Sequence, residues 1–360
     1  MIILDFSKAF DKVPHVRLLN KLRLYGIDIN TLQWIQSFLT GRTQKVVVDG
    51  CFSQEANVTS GVPQGTVLGP LLFLLFINDL PTVLHPDTNC RLFADDCLLY
   101  RTNKSTNDQL QLQKDLDALE SWSKLWGMAF NAKKCNVMSI SRSTTFTKFY
   151  DLSSTVLDTV DSCVYLGVTI SNTRSWSEHV ATLTKKANSK LGFLKRNLKN
   201  CPKQLKRTAY ISLLRSQLEY GSSIWDPGLT KDINLLEGVQ RRAARWVQSD
   251  YRTTSSVTNM LKELGMSSLQ NRRKQQRLVL MFKIMNNLVG VPPDDLDLAQ
   301  ADGRTRSNHK FKLRCHRPTT KNSRHSYVNT TIPEWNSLPA SLAEADSLSE
   351  FKSQLSRLLA

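Results

Sequence analysis

The sequence has no long apolar run. Its longest, Leu71-Leu72-Phe73-Leu74-Leu75-Phe76-Ile77, falls far short of the roughly 20 apolar residues that a membrane-spanning helix needs. No basic stretch followed by an apolar core opens the chain, which begins Met1-Ile2-Ile3-Leu4-Asp5, so no signal peptide is expected. The seven cysteines, at 51, 90, 97, 135, 163, 201 and 315, form no Cys-x-x-Cys pair. That excludes a zinc ribbon and gives no support to a disulfide frame. His309, Cys315, His316 and His325 also lack zinc spacing. Scattered thiols without a secretion signal predict an intracellular protein of the nucleus or cytoplasm, with no membrane partner. Internal repeats and strong low-complexity tracts are absent as well.

What is present fits a folded chain: 360 residues, 41% apolar and 22% charged, enough for two or three domains. Acidic residues are scarce in one half only. Residues 1–170 hold 16 Lys+Arg and 16 Asp+Glu, whereas residues 171–360 hold 32 and 15. The whole net charge of +17 therefore sits in the second half. One-sided charge of this kind points to a polyanion. A basic surface kept for solubility is the plainer reading, and clustering argues against it: Lys185-Lys186, Lys195-Arg196, Arg241-Arg242 and Arg272-Arg273-Lys274.

Local patterns predict a strand at 1–6 and amphipathic helices at 14–25 and 31–39. A hairpin follows, 44–48 with 51–58, around Asp49-Gly50. An apolar helix is expected at 67–80 and a long amphipathic helix at 105–126. Strands are expected at 136–140 and 163–170, and basic helices after Trp176. The fold class is α+β over 1–170, since strands and helices mix without regular βαβ alternation. A helical region is expected at 171–290. Residues 291–360 read as a loosely ordered basic stretch closed by a helix at 348–359.

Asn89-Cys90-Arg91-Leu92-Phe93-Ala94-Asp95-Asp96-Cys97-Leu98-Leu99-Tyr100 reads as two short strands around adjacent carboxylates. Asp is a poor strand residue and suits a turn, so the pair is expected at a hairpin tip. By itself such a pair is usually a solvated turn. Asp5, at the end of an apolar strand, is by itself usually a cap for the following turn. Together, a strand-end carboxylate and a distant carboxylate pair supply the oxygen ligands that metal-assisted phosphoryl transfer requires. Ser60-Gly61-Val62-Pro63-Gln64-Gly65 is a glycine-bracketed loop before a helix. It is either a plain turn or a place where another backbone comes close, with the Gln64 amide able to donate and accept.

Three segments carry a resemblance: Ile3-Leu4-Asp5-Phe6-Ser7-Lys8-Ala9-Phe10-Asp11-Lys12-Val13, Ser60-Gly61-Val62-Pro63-Gln64-Gly65-Thr66-Val67-Leu68-Gly69-Pro70 and Phe93-Ala94-Asp95-Asp96. In order, spacing and identity they resemble palm motifs of the reverse transcriptases of non-LTR, LINE-type (jockey-like) retrotransposons. Trp126-Gly127-Met128 through Asn131-Ala132-Lys133-Lys134-Cys135 looks like the following palm motif, and Tyr165-Leu166-Gly167-Val168 is similar to the primer-grip hairpin. Tyr220-Gly221-Ser222-Ser223-Ile224-Trp225 and Leu236-Glu237-Gly238-Val239-Gln240-Arg241-Arg242-Ala243 resemble the helical region beyond.

The resemblance implies a right-hand polymerase: a palm (antiparallel sheet with packed helices) and primer grip over 1–170, then a helical basic thumb. It implies two Mg2+ ions, with Mn2+ as a substitute, held by Asp5, Asp95 and the auxiliary Asp96. The carbonyl of Phe6 would complete one metal shell, and Phe10 would exclude a 2′-hydroxyl. Gln64 and Gly65 would position template base and incoming nucleotide. Lys134, or its rival Lys133, would protonate pyrophosphate. Tyr165, Leu166 and Gly167 would form the primer grip. Lys185, Lys186, Lys195, Arg196, Arg241 and Arg242 would grip the duplex. Partners implied are an RNA template, a DNA primer and deoxynucleoside triphosphates. Because Asp5 is only the fifth residue, the fingers that the family places ahead of it are expected to be largely missing, as in a 5′-truncated copy. The first strand is then expected to lose sheet neighbours. A catalytically silent nucleic-acid-binding fragment is the second reading, and an unrelated metal-dependent phosphotransferase the third.

Overall fold

The computed structural model describes residues 1–141, 149–301, 309–318 and 321–359. The chain forms two compact units, Met1–Leu166 and Gly167–Ala360.

The first unit is built on a five-stranded sheet. Its order is Asp158–Thr159, Asn136–Val137, Ile2–Leu4, Asp96–Tyr100, Asn89–Phe93. Ile2 and Leu4 are fully buried, which explains why so short a strand holds the centre: its apolar side chains belong to the core. Ile2–Leu4 runs antiparallel to Asp96–Tyr100 on one side and to Asn136–Val137 on the other. The expectation that this strand would lack neighbours is therefore wrong. It is the central strand, and even the Met1 amino group donates to the Met138 carbonyl at 2.9 Å. The sheet is also not wholly antiparallel, because Asp158–Thr159 lies parallel to Asn136–Val137.

Helices cover this sheet. His15–Leu24 buries Leu18 and Leu22, and Leu68–Ile77 buries Leu72, Phe73, Phe76 and Ile77. Thr106–Trp126 buries Leu112, Leu116, Leu119 and Trp122. That last helix begins with a capping box, in which the Ser105 hydroxyl accepts from the Asp108 N–H while the Asp108 carboxylate accepts from the Ser105 N–H. It stops at Gly127, whose φ of 73° is the left-handed helix end that glycine favours. The Asp49-Gly50 hairpin forms with both central residues left-handed, between Val47–Val48 and Cys51–Phe52.

The second unit is helical. Ser177–Asn197 packs on Thr230–Gln248, and Leu269–Met285 runs beside Ser222–Trp225 and Tyr327–Asn336. The described residues beyond 290 differ from the loose stretch expected, of which 302–308 and 319–320 lie outside the described residues. Leu298, Leu313, Ile332, Trp335, Leu342 and Phe351 share one core with Leu278, Met281 and Phe282. Short helices such as Lys321–Arg324 and Ala340–Ala343 have about one turn each, too few residues to display a 3.6-residue period. Among the described residues, no helix is long and apolar enough to cross a membrane. All seven cysteines are free.

Candidate nucleic-acid and carboxylate site

Leu4 pairs with Cys97 across the central strands, so Asp5 and Asp96 are the next residues along the same antiparallel ladder. Phe93 pairs with Asp96, leaving Ala94 and Asp95 as the two-residue turn. The tip is thus Ala94-Asp95, and Asp96 already belongs to its strand, one residue away from the expected placement of both carboxylates at the tip. Ala94 has φ 51°, uncommon for a residue with a Cβ and a form of strain that gathers at working sites.

Burial, then the charges of Asp95 and Asp5, raise the pKa of Asp96 above the ordinary carboxylate value. Tyr165 lies in the same field: burial first, then the Asp96 charge, raise its phenol. Of the two candidate lysines, Lys134 reaches the group, its Nζ 3.6 Å from Asp5 Oδ2.

The backbone of Asp5 is held from the far side. Its N–H donates to Cys135 Sγ at 3.4 Å, and its carbonyl accepts from the Asn131 N–H at 2.8 Å. Burial pushes the Cys135 thiol up to about 11. Phe6 is buried with its ring stacked on Phe130 at 4.4 Å. Sequence reasoning gave Asn131 and Cys135 no role. The only signal was their place in the Asn131 to Cys135 segment, because a hydrogen bond to a backbone 130 residues away leaves no local trace.

The Ser60 to Gly65 loop is stitched to the chain after Asp5. Val62 N–H donates to the Phe10 carbonyl and Gly61 N–H to the Val13 carbonyl, both at 2.8 Å. The Ser60 hydroxyl donates to the Asp11 carbonyl at 2.9 Å, and Gln64 Nε2 to Asp11 Oδ1 at 3.0 Å. Asp11, unassigned from sequence, is therefore the partner of Gln64. Gln64 and Gly65 are both exposed. Phe10 is half-buried, stacked on Phe73 with ring centroids 4.3 Å apart.

Leu166 and Gly167 have φ 46° and 78°, the paired left-handed values of a tight two-residue hairpin turn. They join strands Ser162–Tyr165 and Val168–Ser171.

In the second unit, Lys185, Lys186, Arg196, Arg241 and Arg242 are exposed and Lys195 is half-buried. The Arg272-Arg273-Lys274 run is different, and its place among the clusters that point to a polyanion is corrected. Arg272 pairs with Glu219, Arg273 with Asp226 at 2.6 Å, and Lys274 with Glu334 at 3.8 Å. Arg273 is 1% exposed. These charges are spent inside the unit.

Among the described residues, no group of three or more His, Cys, Asp or Glu side chains is gathered as a metal-binding cluster. The donor chemistry nonetheless suits a hard cation. Asp5, Asp95 and Asp96 offer only oxygen, the donor type that hard cations take.

Residues 1–170 match the family model described as reverse transcriptase (RNA-dependent DNA polymerase). The chain is similar to the RNA-directed DNA polymerase from mobile element jockey of Drosophila melanogaster, with 28% identity over 324 residues, 86% of this chain and 35% of that protein. It is also similar to the probable RNA-directed DNA polymerase from transposon X-element of the same species, with 26% identity over 253 residues, 68% of this chain and 28% of that protein. The chain thus spans about a third of the length of these relatives. Among solved structures, a telomerase from Candida albicans matches at 15% identity over 73% of this chain and 46% of that one, with a TM-score of 0.34.

Proposed function

We propose that this chain is the RNA-directed DNA polymerase segment of a non-LTR retrotransposon, a reading supported by the match of residues 1–170 to the reverse transcriptase family model and by the similarity to the jockey and X-element polymerases. It would extend a DNA 3′ end on an RNA template. The primer 3′-oxygen forms a new bond to the α-phosphorus of a deoxynucleoside triphosphate, and pyrophosphate leaves. The observation that carries this reading is the strand register, which sets Asp5 and Asp96 next to each other along the ladder with Asp95 in the adjoining turn.

Asp5, Asp95 and Asp96 would hold two Mg2+ ions (or Mn2+), which when bound neutralise charge on the attacking and leaving oxygens. The protein's own part is positioning and charge. The ring of Phe10, backed by Phe73, would lie under the incoming sugar and reject a 2′-hydroxyl. Gln64, braced by Asp11, and Gly65, which has no side chain to intrude, would seat the base pair being formed. Lys134 would hold a proton at Nζ for the departing pyrophosphate. Tyr165, Leu166 and Gly167 would seat the primer end.

In this reading residues 1–170 form the palm and primer grip, 171–290 a thumb, and 291–360 a C-terminal region. Lys185, Lys186, Lys195, Arg196, Arg241 and Arg242 would hold the duplex through its phosphates, which gives affinity without sequence choice. A nucleic-acid-binding fragment without catalysis is the second reading, favoured by the charge of the second unit alone.

Primer extension separates the two. An RNA template, a DNA primer, deoxynucleotides and Mg2+ should give product with the intact chain. Asp95→Asn should lower the rate by several orders of magnitude while leaving duplex affinity nearly unchanged. Equal background from both proteins, with duplex binding intact, would leave only the binding reading.

A further inference from the structure

Tyr251 is an exposed aromatic of the second unit whose ring is met by the Lys195 ammonium. It follows the helix Thr230–Gln248, which ends at Ser249 with φ 55°, a left-handed residue that turns the chain away. The residue is 59% exposed. Its loop is nevertheless firmly built. Arg252 clamps the Asp250 carboxylate through Nη2 at 2.8 Å and Nε at 3.1 Å, and the Ser255 hydroxyl donates to it at 2.7 Å. Arg245 Nη1 donates to the Arg252 carbonyl at 2.7 Å. An exposed aromatic on a rigid loop loses little entropy when something stacks on it.

The surroundings favour an anion. Lys195 Nζ lies 5.6 Å from the Tyr251 ring centroid. Burial and the positive charge of Arg242 both lower the pKa of Lys195. Arg242 is oriented by Asn188, its Nε donating at 3.1 Å. Among the described residues, no carboxylate forms an ion pair with Lys195 or Arg242. These are two cations held near each other, one of them partly desolvated, without an internal counter-ion. Of the two acids lining the groove, Asp250 is neutralised by Arg252, and Glu263 accepts only from the neutral Gln248 amide at 2.9 Å.

Beside the ring runs an open groove of about 800 Å³, lined by Lys203, Asp250, Tyr251, Arg252, Ser255 and Glu263 among others. That volume is in the range of small-ligand sites, and the lining offers donors from Lys, Arg, Ser and Asn. A platform, two unpaired cations and a polar groove together match one nucleotide unit: a base to stack and a phosphate to neutralise. In a duplex the base faces are already covered by stacking. An aromatic ring with a free face is of use only to a base that is unstacked.

We propose that Tyr251 is a stacking platform for one base of a single-stranded nucleic acid, with the adjoining phosphate met by Lys195 and Arg242 and the rest of the nucleotide in the groove beside Lys203. This deepens the nucleic-acid reading of the second unit and is independent of catalysis by the first.

The test is fluorescence anisotropy of the full chain with three probes of equal length: a single-stranded oligo-dT, the same strand with abasic sugars, and a duplex. Tyr251→Ala should weaken oligo-dT binding by about 5- to 150-fold, the range for losing one stacked base. It should leave abasic-strand and duplex binding unchanged, and Tyr251→Trp should restore oligo-dT binding. Unchanged oligo-dT affinity in Tyr251→Ala would overturn the proposal, as would an equal loss on the abasic strand. Loss of duplex binding in the intact chain, with the oligo-dT effect retained, would remove the duplex-grip reading and leave this one standing.

Discussion

A Cβ on Gly61 would lie 2.7 Å from the carbonyl oxygen of Asp11. The loop before the apolar helix and the segment after Asp5 are therefore pressed backbone to backbone. Gly61 also has φ +90°, whereas Gly26, at φ +83°, has nothing within 4 Å of the same imagined atom. Gly61→Ala combines a left-handed residue with an overpacked contact and should cost about 2–4 kcal/mol. Gly26→Ala carries only the conformational part, about 1–2 kcal/mol. Urea unfolding midpoints of the two variants check the difference. Equal losses would mean that the contact with Asp11 does not constrain the loop.

Lys21 places its ammonium among Phe76, Trp122 and Trp126, with the Trp126 centroid 3.6 Å away, and pairs with Asp79 at 2.7 Å. Its side chain is 3% exposed, and burial is the main force lowering its pKa. Asp79→Ala would strand the charge and should destabilise the first unit by about 3–5 kcal/mol. Lys21→Met combined with Asp79→Asn should cost clearly less than Asp79→Ala alone. A thermodynamic cycle of single and double variants measures this, and additive losses would show that the two residues are not coupled.

Acid should loosen the start of the Thr106–Trp126 helix. The Ser105 hydroxyl, then the Lys104 N–H, hold the Asp108 carboxyl down to about 2 from 3.8. The folded value lies below the unfolded one, so the stabilisation is complete above the unfolded value and is lost as pH falls through the folded one. Wild type should therefore exceed Asp108→Ala in stability by a constant margin above pH 3.8, and the margin should close as pH falls toward 2. Denaturation of both proteins across that range is the measurement. A margin that persists at the acid end would assign the effect to something other than the carboxylate.

The exposed pair Arg241 and Arg242 should act through salt. If both touch phosphate, Arg241→Gln with Arg242→Gln lowers the slope of log affinity against log salt by about 2. Duplex titrations at several salt concentrations give the slope. Affinity and slope that both match wild type would take these residues off the duplex path.

Much of the local structure was legible. The Asp49-Gly50 turn, the apolar helix at Leu68–Ile77 and the 21-residue Thr106–Trp126 helix announce themselves through turn residues, caps and periodicity, all properties of neighbouring residues. The Phe93 to Asp96 hairpin was legible for the same reason, apart from one residue at its tip. The role of Asp11 as the partner of Gln64, and of Asn131 and Cys135 as anchors of Asp5, was not legible, because each depends on chain segments that meet only after folding.

The sequence by itself determined that Asp5 ends an apolar strand, that Asp95 and Asp96 sit on a hairpin, and that all net charge lies in the second half. Only the tertiary structure decided that Ile2–Leu4 is the central strand of the sheet, which brings Asp5 alongside Asp96. It also decided that Arg272 and Arg273 are consumed by Glu219 and Asp226, whereas Lys195 and Arg242 form no ion pair among the described residues. The physical reason is the same in both cases. Strand pairing and charge pairing join residues far apart in the chain, and an apolar tripeptide or an arginine has the same local sequence whether its partner is water, a neighbouring strand or a carboxylate.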